Sequence, residues 1–184
     1  MLLIDAGINI NAQDKFDNTA LHVAVNHGNT DIVKLLIDGG IDLNIKTRVG
    51  DTALHIAVEE GNTEIVKLLI DGGIDLNIRD RVGCTALHIA VDHGYTDIVK
   101  LLIDGGIDLN IKDWDGETAL HNAAIERNTE LTMLLIFAGI DLNTQNTYGD
   151  TALHFAVLHK NTEMVKLLID GGIALNIQNK VSGL

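Results

Sequence analysis

The sequence predicts an all-α repeat solenoid of stacked helix-turn-helix units joined by β-turn or hairpin fingers, and three observations predict it. Thr-Ala-Leu-His recurs at Thr19, Thr52, Thr85, Thr118 and Thr151, each copy 33 residues after the last. Each copy runs into two short amphipathic stretches around a break, as in 53–58, Gly61-Asn62-Thr63 and 64–70. Proline is absent and aromatic residues make up only 3%, so the core must be built from Leu, Ile, Val and Ala.

In the second copy the first helix places Leu54, Ala57 and Val58 at the i, i+3, i+4 spacing of one buried stripe, and Ala53 and Ala57 keep one side thin. The second helix has a wider stripe, Ile65, Val66, Leu68, Leu69 and Ile70, leaving Glu64, Lys67 and Asp71 polar. That width predicts the second helix to be the more buried of the two. Thr52 and Asn62 suit helix N-caps, Glu64 suits the dipole of a first turn, and Gly72-Gly73 offers a left-handed exit. Ile74-Asp75-Leu76-Asn77 then leads into a turn ending at Gly83. Helices of about eight to ten residues are marginal alone in water, so each pair must bury its stripe against neighbouring pairs.

A 33-residue unit carrying Thr-x-Leu-His, Gly-x-x-Glu-Ile-Val-Lys-Leu-Leu and Gly-Ile-Asp-Leu-Asn resembles the ankyrin repeat. On that resemblance five complete repeats span 14–46, 47–79, 80–112, 113–145 and 146–178. A partial repeat occupies 1–13, where Leu2-Leu3-Ile4-Asp5 aligns with Leu35-Leu36-Ile37-Asp38, and 179–184 begins a truncated one. Ala20, Ala53, Ala86, Ala119 and Ala152 stand where the family usually has proline, which gives up a preset φ at the first helical position. Repeat 113–145 is divergent: Arg127 replaces the inter-helix glycine, Thr132 an apolar residue, and Met133 and Phe137 the usual lysine and aspartate.

The formal net charge of −13 opposes both the nucleic-acid backbone and an anionic membrane surface. Cys84 is the only cysteine, which excludes an internal disulfide and suits a reducing compartment or indifference to redox state. Met1 to Ile4 run into Asp5 without a basic flank, and no apolar run is long enough to span a bilayer. The expected location is cytoplasmic or otherwise intracellular.

The residues predict no catalysis, cofactor or metal. His22, His55, His88, His121 and His154 recur once per repeat, and helices stack about 8 to 10 Å apart. Zinc ligands all lie about 2 Å from one ion, so such a column does not converge. The resemblance implies instead that these histidines bond neighbouring repeats to one another. Asp113-Trp114-Asp115-Gly116 imitates the start of a calcium loop but lacks the remaining ligands at their spacing. Cys84 shares an exposed turn column with Asn18, Asp51, Glu117 and Asp150, and is expected to be inert. The Gly-Gly pairs follow helices and so are not phosphate loops.

Comparing the five copies separates columns fixed by stacking from columns free to vary. The free ones are Asn26-His27, Glu59-Glu60, Asp92-His93, Ile125-Glu126 and Leu158-His159 at the end of the first helix. The turns contribute Lys15-Phe16, Arg48-Val49, Arg81-Val82, Trp114-Asp115 and Thr147-Tyr148. The resemblance implies that turn tips and first helices line a concave, partner-contacting surface. The candidate partner-binding residues are therefore Phe16, Asn26, His27, Arg48, Glu59, Glu60, Arg81, Asp92, His93, Trp114, Glu126 and Tyr148. Phe16, Trp114 and Tyr148 are the residue types that anchor protein interfaces. Lys15, Lys46, Arg48, Arg79, Arg81 and Lys112 give the turns a basic edge, but Asp14, Asp17, Asp51, Asp80 and Asp113 interleave with it. That mixture suits a protein partner, of unidentified kind, better than nucleic acid.

The expected function is thus a protein-protein interaction module without catalysis. A second reading is a fragment or remnant of a larger multidomain ankyrin-repeat protein whose activity lies elsewhere. It is motivated by terminal stacking faces without polar caps, which also permit end-to-end self-association.

Overall fold

The computed structural model describes residues 9–180. Leu2-Leu3-Ile4-Asp5 and most of the partial repeat 1–13 lie outside the described residues, as do residues 181–184. Among the described residues there are ten helices and no strand. The inner, seven-residue helices are α1 (Ala20–Asn26), α3 (Ala53–Glu59), α5 (Ala86–Asp92), α7 (Ala119–Ile125) and α9 (Ala152–Leu158). The outer, nine-residue helices are α2 (Thr30–Asp38), α4 (Thr63–Asp71), α6 (Thr96–Asp104), α8 (Thr129–Phe137) and α10 (Thr162–Asp170). Each inner helix packs on its own outer helix and on the inner helices before and after it, so two layers run the length of the stack.

Every inner helix starts at the alanine after the repeated threonine, which is extended; Thr52 has φ −86° and ψ 170°. The histidine two residues beyond that alanine turns back to the cap, and Nδ1 of His55 accepts from the Thr52 N–H at 3.2 Å. Asn62, Asn128 and Asn161 cap outer helices, their side chains accepting from Ile65, Leu131 and Met164 N–H.

The inner helices are the more deeply buried, contrary to the expectation from stripe width. α3 buries Ala53, Leu54, His55, Ala57 and Val58, whereas α4 buries only Ile65, Val66 and Leu69. The small alanines let inner helices approach closely on three sides, while each outer helix keeps one side in water. Leu68 and Ile70 accordingly end up only partly buried.

The fingers are turns without strand ladders. Each closes on itself, as with Thr47 N–H donating to the Asp51 carbonyl at 2.8 Å, and single bonds join neighbours, as with Arg48 N–H to Phe16 O at 3.0 Å. A second set of rungs precedes each turn. The Oδ1 atoms of Asn11, Asn44, Asn77 and Asn110 accept from the backbone N–H of Asp42, Asp75, Asp108 and Asp141, at 2.8 to 2.9 Å. Gly83 at one turn exit has φ +91°, and a Cβ there would lie 2.6 Å from the Trp114 nitrogen, so close approach and left-handed geometry both demand glycine.

Repeat 113–145 keeps both helices. Thr132 is fully buried and donates from Oγ1 to the Asn128 carbonyl at 2.9 Å, which satisfies it inside the stack. Phe137 takes the cost on the other face, standing 82% exposed at the end of outer helix α8.

Candidate functional site

The inner helices and turns enclose a groove of about 710 Å³ spanning the first three complete repeats. Ile56 and Ile89 on α3 and α5, with Val49 and Val82 at the turn tips, supply its apolar lining. Of the candidate binding residues it gathers Phe16, Asn26, Arg48, Glu59, Glu60 and Asp92. His27, Arg81, His93, Trp114, Glu126 and Tyr148 lie outside that lining. Asp51, Asp80, Glu59, Glu60 and Asp92 make the groove acidic, with Arg48 as its one cationic lining residue.

The groove carboxylates do not sit in open water. Partial burial pushes Asp51 above the usual aspartate range, and Asp80 and Glu59 add repulsion. Asp92 is likewise raised, first by desolvation; the amide of Asn122 opposes the shift and Glu126 contributes to it. Asn122 Nδ2 donates to Asp92 Oδ1 at 2.7 Å. Its own Oδ1 is buried with no hydrogen-bond partner. Sequence reasoning missed Asn122, Ile56 and Ile89. The available signal was the Val23, Ile56, Ile89, Asn122, Phe155 column, which is apolar in every copy but one.

The turn tips are exposed but braced. Trp114 is 58% exposed, yet its Nε1 donates to the Arg81 carbonyl at 2.8 Å and the Arg79 guanidinium lies 4.3 Å from the ring centre. Lys15 covers Phe16 in the same manner at 4.8 Å. The basic edge is largely occupied with bracing too. Lys46 donates to Arg79 O, Arg79 to Lys112 O, and Lys112 to Gln145 O, each crossing to the next turn. Arg48 reaches the Lys15 carbonyl and lies 3.8 Å from Asp17, an exposed pair of little energetic weight. His93 stacks on Tyr95 at 5.2 Å and meets Glu59 at 3.3 Å.

The histidine column is structural in its first four members. Nε2 of His55, His88 and His121 meets the carbonyls of Cys84, Glu117 and Asp150 in the following unit, and Nε2 of His22 meets that of Ile45 at the end of its own. Desolvation lowers the pKa of all four, leaving neutral rings. Cys84 and its column are half-buried and not exposed as expected, because the turn folds its backbone between Asp80 and His55. Burial and the nearby Asp80 and Asp113 push the Cys84 thiol up to about 12, which keeps it protonated. No cluster of three or more His, Cys, Asp or Glu able to hold a metal ion occurs among the described residues, and none of their helices is long and apolar enough to cross a membrane.

The chain matches the family model for ankyrin repeats in three copies, over residues 1–80, 42–113 and 87–179. Among solved structures it is similar to the crystal structure of the ankyrin repeat domain of Bcl-3, described as a unique member of the IkappaB protein family. The two are 29% identical, with a TM-score of 0.91 over 97% of this chain and 81% of that one. No curated protein matches the chain.

Proposed function

Since the chain belongs to the ankyrin repeat family, a family of protein-interaction modules, we propose that it holds a protein partner along its concave face and catalyses no reaction. The observation that carries the reading is the coincidence of variation and shape. Phe16, Asn26, Arg48, Glu59, Glu60 and Asp92 belong to columns that differ between copies, and all six line one groove with an apolar lining. Columns that repeat every 33 residues point the same way on successive units, so Trp114 and Tyr148 extend this face along the turn tips. Their exposed rings, the first pre-positioned by Arg81 and Arg79, lose little freedom on binding.

The absence of catalysis rests on the commitments of the reactive groups. Four histidines are neutral braces, and the one thiol is protonated and half-buried.

The test is mutagenesis against a captured partner. Trp114→Ala is expected to weaken binding by about 2 kcal/mol. Lys67→Ala, on the convex face of α4, is expected to change it by less than about 0.5 kcal/mol. A partner that responds to Lys67 and not to Trp114 or the groove residues lies on the convex side and refutes the assignment.

A further inference from the structure

We propose that the segment bound in the groove is an extended basic stretch of a partner protein, with an arginine or lysine seated at Asp92 beside Asn122 and another between Glu59, Glu60 and Asp51. This rests on the concave-face reading above and specifies the chemistry of its occupant.

Two independent observations carry it. The first is charge: five carboxylates, Asp51, Glu59, Glu60, Asp80 and Asp92, line a single groove against one guanidinium, Arg48. Arg48 is turned away toward the Lys15 carbonyl and Asp17, so it does not neutralise them. Desolvation raises Asp51 and Asp92, and to this Asp80 and Glu59 add repulsion of Asp51, and Glu126 of Asp92. The groove therefore carries like-charge repulsion that a cationic ligand relieves.

The second is an unspent acceptor. Asn122 is 9% exposed and stands in the helical column of Ile56 and Ile89, which line the groove. Its Nδ2 reaches the groove wall by donating to Asp92 Oδ1 at 2.7 Å, and this bond fixes the amide orientation, because the flipped form would set two acceptors face to face. Oδ1 is thereby left without a donor. A buried unpaired acceptor is costly, yet the chain keeps a polar group here where its sister repeats have Val23, Ile56, Ile89 and Phe155. Oδ1 is covered from the groove in this form, so a donor-only cation drawn in by Asp92 complements both groups once a small rotation of the Asn122 side chain uncovers it. The apolar lining of Ile56, Ile89, Val49 and Val82 suits the aliphatic stems of the same side chains.

The experiment is fluorescence anisotropy on the full chain with a labelled ten-residue peptide of alternating arginine and alanine, beside one of alternating glutamate and alanine. The arginine peptide is expected to bind and the glutamate peptide not to bind. Glu59→Gln with Asp92→Asn is expected to weaken the arginine peptide about tenfold, and Asn122→Ile, which restores the column's apolar residue, several-fold. The control pair Glu64→Gln with Asp71→Asn removes the same charge from the convex face of α4, and is expected to weaken binding less than twofold. Circular dichroism verifies that every variant is folded. Equal losses in groove and control pairs would reduce the effect to net charge and overturn the proposal, as would no binding of the arginine peptide. A captured partner that Trp114→Ala releases but the arginine peptide does not displace overturns the basic occupant alone. A partner indifferent to every groove variant overturns the concave-face reading itself.

Discussion

Nε2 of His55 lies 3.3 Å from the carbonyl oxygen of Cys84 while Nδ1 of the same ring accepts from the Thr52 N–H. A backbone N–H only donates, so Nδ1 carries no proton and Nε2–H is the donor to the next repeat. His88 and His121 are held in the same way, and His22 differs only in donating to Ile45 at the end of its own unit. Protonation places an N–H against the cap N–H and breaks the threonine–histidine joint.

Stability is therefore expected to fall on acidification. The folded pKa values of His22, His55, His88 and His121 lie below 6.5, so the unfolded chain binds more protons once pH drops below about that value. Their stabilising effect is complete above pH 6.5 and is lost as pH falls below it toward the folded values. The raised carboxylates Asp51, Asp92 and Glu117 act in the opposite sense: their destabilising effect is present above their folded values and is relieved as pH falls through these toward the unfolded 3.8 to 4.5. Urea midpoints measured from pH 8 to pH 5 should stay level to about 6.5 and then decline. A midpoint that rises toward pH 5 contradicts the tautomer assignment.

Proline at Ala53, Ala86 and Ala119 should raise the unfolding midpoint, by about 0.4–1 kcal/mol per site. Each alanine is the first helical residue, and the preceding threonine is already extended, as proline requires of its neighbour. Thermal denaturation of the three single variants checks this; a fall in all three would show that the buried site has no room for the ring.

Lys160→Gly and Arg127→Gly should each stabilise the chain by about 1 kcal/mol. Both residues sit at positive φ, +54° and +60°, where other units use Gly28, Gly61 and Gly94. Arg127 also donates to the His159 carbonyl at 3.2 Å, so its gain should be the smaller. The contrast is Gly83→Ala, expected to destabilise by about 2 kcal/mol or more, since strain adds to the clash with Trp114. Chemical denaturation of the three variants should rank them in that order.

Much of this architecture was legible because the chain carries five copies of its own experiment. Period, helix starts at Thr-Ala-Leu-His and the glycine exits follow from local chemistry that every copy repeats. The depth of burial did not follow. Stripe width counts apolar residues on one helix, whereas α3 and α5 are buried by close neighbours on several sides, which only the stacking supplies. The half-buried state of Cys84 was missed for the same reason, since its cover comes from a turn and a histidine far along the chain. The site was legible in outline, as variable columns at the helix ends and turns. Asn122 escaped because its column lies outside the helix-end and turn columns and is apolar in the other four units.

Because Asn44, Asn77 and Asn110 offer one and the same acceptor to Asp75, Asp108 and Asp141, every unit presents an edge that fits units other than its own neighbour. A slip of one or a few residues breaks all of these joints together, but a slip of a whole unit remakes nearly all of them. Errors of folding in this chain are thereby quantised: units are skipped, or lent to another molecule, in whole numbers. The same interchangeability lets the stack lengthen or shorten by entire units without redesigning any joint.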